Sequence, residues 1–153
     1  MPPDEDEHDR LRRLYAARVA EQDHAHPGYG EAWERFADEL LKHGGTHVVP
    51  PLQPDRLIEV LRADGQFRGA TTDVEPGPPS DCHRNAVAIW RSGRALAIGT
   101  GYALSDDGLW REHSWGVASD GAVIETTEPR LRYFGVTMDG DRAEWFARWV
   151  EPD

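Results

Sequence analysis

The spacing of apolar residues changes once along this chain, and that change constrains the fold more than any other feature. In the first half, apolar residues recur every three or four positions, the spacing of one helix face. Leu11, Leu14, Tyr15 and Val19 form one such stripe. Trp33, Phe36, Ala37, Leu40 and Leu41 form a second, ended by Gly44-Gly45. Pro54-Asp55 opens a third helix with Leu57, Ile58 and Leu61 apolar, stopping near Asp64-Gly65. Residues 69–81 are rich in Gly, Pro, Ser and Thr and read as a long loop. A short helix follows, with Ala86, Val87, Ile89 and Trp90 on its apolar face. From there the pattern is that of strands, over residues 95–104, 109–110, 113–118, 122–127 and 132–137. Ser105-Asp106-Asp107-Gly108 and Ser119-Asp120-Gly121 supply the turns. Ala143, Trp145, Phe146, Trp149 and Val150 make a last helix. Helices first and an antiparallel sheet afterwards is an α+β layout. The reading is one domain over residues 1–153, with a helical lobe over 1–68 and a core over 69–153 that ends in the last helix.

Length and charge then exclude several classes. At 153 residues the chain can bury its own core. Its net charge of −11 repels a phosphate backbone, which argues against nucleic-acid binding. No apolar run approaches the roughly 20 residues of a membrane span. The opening MPPDEDEHDR carries the wrong charge for a signal or transit peptide, so a cytoplasmic protein is expected. Cys82 is the single cysteine, which rules out an internal disulfide and a CxxC zinc pattern.

The setting of Cys82 points to chemistry. Ser80 and Asp81 are both good helix N-cap residues, placed just before the apolar periodicity begins. Cys82 thus falls in the first turn of a helix, where free N–H groups and the helix dipole would lower the thiol pKa. A thiolate nucleophile needs a base, and the base needs an orienting group. His113 begins a strand whose alternation puts His113, Trp115 and Val117 on one face. The third group depends on register. A two-residue hairpin loop at Asp120-Gly121 sets His113 opposite Glu128. A three-residue loop, Ser119 to Gly121, sets Trp115 opposite Glu125 and makes Glu125 the diagonal neighbour of His113. Glu125 lies deeper in the apolar run, where a carboxylate needs a partner, and is favoured over Glu128.

Three fragments, Ser80-Asp81-Cys82-His83-Arg84-Asn85-Ala86, His113-Ser114-Trp115 and Glu125-Thr126-Thr127, together resemble the transglutaminase-like branch of the papain-like cysteine enzymes. The order Cys, His, acid is that family's order, and Thr127 matches its acid-x-Thr pattern. The resemblance covers about residues 80 to 137. It departs from the family in having Glu for the more usual Asp, and in lacking a Trp beside the cysteine. It implies a papain-like α+β fold, with Cys82 as nucleophile, His113 as general acid/base and Glu125 orienting the imidazole. The substrate would be a peptide or small-molecule amide or ester, and no cofactor is implied. The backbone N–H of Cys82 is a natural oxyanion donor. Asn85, His83 and Tyr102 are side-chain candidates, and Trp115 a candidate cleft wall. A zinc site at Cys82, His83 and His113 is disfavoured, because there is no second cysteine and no HExxH motif. The rival readings are a binding module on the same fold that holds a peptide or small molecule without turnover, and an interaction protein with Cys82 in its core.

Overall fold

The computed structural model describes residues 5–71 and 73–151. These form five helices and one six-stranded sheet, an α+β arrangement. In chain order the elements are α1 (Glu5–Ala25), α2 (Tyr29–Leu41), β1 (His47–Val48), α3 (Ile58–Asp64), β2 (Gln66–Arg68), α4 (Cys82–Arg91), β3 (Ala97–Leu104), β4 (Leu109–Val117), β5 (Val123–Ile124), β6 (Arg132–Met138) and α5 (Gly140–Val150).

The sheet runs β1-β4-β3-β6-β2, with β5 paired to β4. β3, β4 and β6 are antiparallel neighbours, while β1 runs parallel to β4. Both outer strands come from the first half of the chain, so residues 1–68 are not the purely helical lobe expected. β1 has two residues and β2 three, too few to show a period of two. The expected strands at 109–110 and 113–118 are one continuous β4, since Arg111 and Glu112 pair with Ala103 and Tyr102 of β3.

Alternation along the strands divides the core in two. Ile98, Tyr102, Leu104, Trp110, Val136 and Met138 face the helices, where they meet Trp33, Phe36 and Leu40 of α2, Leu61 of α3, Ala86 and Val87 of α4, and Phe146 of α5. Ala97, Ala103, Trp115, Val117, Val123 and Tyr133 form a smaller cluster on the opposite face. Two of the expected helix stripes need correction. In α1, Leu11 and Val19 are buried but Leu14 is exposed. In α5, Ala143, Phe146 and Ala147 are buried, whereas Trp145 and Trp149 stack on each other at the surface.

The hairpin after β4 has the three-residue loop. Gly116 pairs with Ile124, Val117 with Val123, and the Ala118 N–H donates to the Ala122 carbonyl, which leaves Ser119 to Gly121 as the loop. Gly121 takes φ of 85°, the left-handed conformation such a loop requires. This register carries Glu125 toward the His113 face of β4.

Candidate active site

Among the described residues, strands pair with one edge of β4 in two places only. β1 pairs with Leu109 and Trp110, and β5 pairs with Gly116 and Val117. The Trp110 carbonyl accepts from the Val49 N–H across that edge, so the even-numbered residues of β4 present their backbone groups there. The start of α4 fills the interval between β1 and β5. The Ser114 N–H faces the Cys82 thiol closely enough to lower its pKa. α4 can lie this close because Gly116 has no side chain: a Cβ there would stand 2.4 Å from Ile89 Cδ1.

Asp81 is the N-cap of α4, but among the described residues its side chain makes no capping bond. Ser80 stands before it with φ of 59°. The helix start therefore takes its position from β4 and from the preceding loop. Asn85 is buried and donates from Nδ2 to the Pro78 carbonyl at 2.8 Å, tying that loop to α4. The loop also pairs with the chain leaving β5: Glu125 N–H donates to Asp73 O, Glu75 N–H to Glu125 O, and Gly77 N–H to Thr126 O.

His113 and Glu125 meet inside this frame. Nε2 of His113 lies 2.8 Å from Oε1 and 3.0 Å from Oε2 of Glu125, with both side chains buried. Oε1 also accepts the Tyr133 hydroxyl at 2.6 Å. Oε2 accepts the backbone N–H groups of Thr126 and Thr127 and the Thr127 hydroxyl at 2.9 Å. The threonine two positions after the acid thus holds the carboxylate directly. Burial raises the Glu125 pKa, but the bonds from His113, Tyr133 and Thr127 outweigh it and hold the group at about 2. Glu125 is therefore ionised and can only accept. Nε2 of His113 must carry the proton, and the neutral imidazole has its lone pair on Nδ1. Glu128, the alternative acid, is exposed on the cleft rim.

Cys82 and His113 open into the same cleft of about 680 Å³, lined also by Ser80, Asp107, Arg111, Glu112, Thr127 and Arg130. The expected low thiol pKa is not found. Burial pushes the Cys82 thiol above its ordinary value, opposed by the Ser114 N–H, and the charges of Glu125 and Glu112 add to the rise. Burial also lowers the His113 pKa, against the Glu125 hydrogen bond. At neutral pH the cleft therefore holds a neutral thiol and a neutral imidazole.

The other candidates stand elsewhere. Tyr102 faces the helices, fully buried, and its hydroxyl donates to Asp55 Oδ2 at 2.7 Å. His83 turns away from the cleft to Ser114 Oγ at 2.6 Å, and Ser114 Oγ lies 2.9 Å from Thr100 Oγ1. Asn85 holds the loop. Trp115 is buried against Tyr133 beside His113, so it packs behind the imidazole and is no cleft wall. None of these four is among the described residues that line the cleft. Two side chains of consequence were missed from sequence. Tyr133 is a second donor to Glu125, and nothing in its strand pattern marks it. Arg130 lines the cleft three positions after Thr127. Among the described residues, no group of three or more His, Cys, Asp or Glu side chains is placed to hold a metal ion, and no helix is long and apolar enough to cross a membrane.

No family model and no solved structure matches the chain. The E3 ubiquitin-protein ligase ZNRF4 of Mus musculus is 30% identical over 106 residues, 63% of this chain and 32% of that protein. The chain spans about a third of that relative's length.

Proposed function

We propose that this protein is a thiol-dependent acyl-transfer enzyme with a papain-like, transglutaminase-like core, acting on an amide or ester. The observation that carries the reading is the buried His113–Glu125 pair, with both carboxylate oxygens otherwise satisfied, in a cleft shared with Cys82. A carboxylate given five donors in the core has a cost in desolvation, and orienting one imidazole tautomer is a function that explains it.

The chemistry follows from the protonation states. Nδ1 of His113 takes the thiol proton as the Cys82 sulfur attacks the carbonyl carbon. Glu125 stabilises the imidazolium so formed. Negative charge develops on the carbonyl oxygen near the start of α4, where the Cys82 N–H has no helical partner to serve. The C–N or C–O bond breaks, His113 returns the proton to the departing amine or alcohol, and a thioester remains on Cys82. Water then gives hydrolysis or deamidation, and an amine gives amide transfer or cyclisation.

The raised Cys82 thiol favours one rival, a binding module on the same fold that holds a peptide or small molecule without turnover. Intact mass spectrometry after incubation with a panel of peptide amides and esters separates the two. The enzyme reading expects an acyl adduct confined to Cys82 and lost in Cys82→Ala. Binding of panel members with no adduct at any time would refute turnover.

A further inference from the structure

Two arginines line the cleft, and their surroundings differ. Arg111 is neutralised by Asp107, with Nη2 2.6 Å from Oδ2. Arg130 meets neutral oxygens only. Its Nη1 donates to the Glu128 carbonyl and its Nη2 to Thr127 Oγ1 at 3.3 Å. Among the described residues it has no carboxylate within ion-pair distance, although the chain carries 28 acidic residues. A guanidinium has five N–H donors in a fixed fork, so most of this fork remains unused. The group is half-buried and held in place. Thr71 Oγ1 accepts the Arg130 backbone N–H at 2.7 Å, and Thr127 belongs to the Glu125 cradle. A cation held in the same cleft as Cys82, with its fork open, suits a planar anion.

We propose that Arg130 is a substrate-binding residue for a carboxylate, and that the substrate class is amides or esters bearing a carboxylate near the reacting carbonyl. This rests on the reading of Cys82 as the nucleophile. The charge of Arg130 also reaches both reacting groups, lowering the pKa of Cys82 and of His113. Of the exposed carboxylates lining the cleft, Glu112 lies 3.4 Å from His83, while Asp106 and Glu128 face water and are screened.

Iodoacetate and iodoacetamide test the proposal, since they alkylate a thiol by the same displacement of iodide and differ in one carboxylate. The readout is the ratio of their rates at Cys82, normalised to the same ratio for glutathione. The expected value in the wild type is roughly tenfold above unity, the size of one charge-assisted pair. It should fall to unity in Arg130→Gln and be partly kept in Arg130→Lys, which guards against a folding defect. Added salt should reduce it. A wild-type ratio at unity, or one unchanged in Arg130→Gln, would overturn the carboxylate site. Equal slowing of both reagents in Arg130→Gln would also overturn it, leaving Arg130 as a charge acting on sulfur alone. The nucleophile reading is judged separately, by the absolute iodoacetamide rate and its dependence on His113. Protection of Cys82 from both reagents would overturn both readings.

Discussion

Glu125 is the residue on which the site turns, because its charge is fixed by three side chains and two backbone N–H groups at once. Its folded pKa of about 2 lies below the ordinary 4.5. The stability this shift supplies is complete above pH 4.5 and is lost as pH falls from 4.5 through about 2, a contribution on the order of 3 kcal/mol. Glu125→Gln should lower stability by about 3–5 kcal/mol at neutral pH, by removing the charge that His113 and Tyr133 are built around. Its acid-unfolding curve should lose the segment below pH 4.5 that urea titrations resolve in the wild type. Tyr133→Phe removes one donor of five and should cost about 1–3 kcal/mol, read from the same titrations. At this scale the sequence was informative where periodicity and chemistry agreed. The placement of Cys82, His113 and Glu125 is legible because a helix start, strand alternation and a three-residue hairpin each fix a direction. Tyr102 lies away from the cleft because even-numbered positions of β3 face the helices, and His83 of α4 is held by Ser114 on the same face of β4; Asp55 and Ser114 are partners that no spacing reveals. The thiol pKa runs against the helix-start expectation because burial outweighs the position at the helix start.

At the scale of elements, the site depends on α4 lying against the uncovered interval of β4. Gly116 permits that approach, since Ile89 and Ala95 occupy the space above it. Gly116→Val should push α4 outward, cost about 1–3 kcal/mol through overpacking, and separate Cys82 from the Ser114 N–H. Hydrogen exchange at the Ser114 amide is the direct check, with faster exchange expected in the variant. Asn85→Ala should act on the same assembly from its other side by freeing the 69–81 loop, and should raise proteolytic cutting there without unfolding the sheet. The longer strands and helices were readable from their periods. The sheet edges were not, since β1 and β2 gain their structure from β4 and β6 and carry too few residues to declare it themselves.

Across the whole molecule, the two halves of the chain share one core. Val19, Trp33, Phe36, Leu40, Ile58 and Leu61 pack against Ile98, Tyr102 and Trp110, and both outer strands of the sheet come from residues before Cys82. Unfolding should therefore be a single transition, with tryptophan fluorescence and far-UV circular dichroism coincident. Residues 69–153 expressed alone should fail to give a dispersed NMR spectrum, despite carrying all three proposed catalytic side chains. The proposed reaction requires His113 to take a proton from Cys82. The rate of Cys82 alkylation by iodoacetamide as a function of pH tests it most directly, in the wild type and in His113→Ala. The wild type should show two rises. One belongs to His113 and lies below its ordinary value of 6.5, because burial lowers it. The other belongs to the thiol and lies above its ordinary 9.0, because burial raises it. His113→Ala should lose the lower rise and keep the upper one. A single rise, identical in the two proteins, would contradict the account.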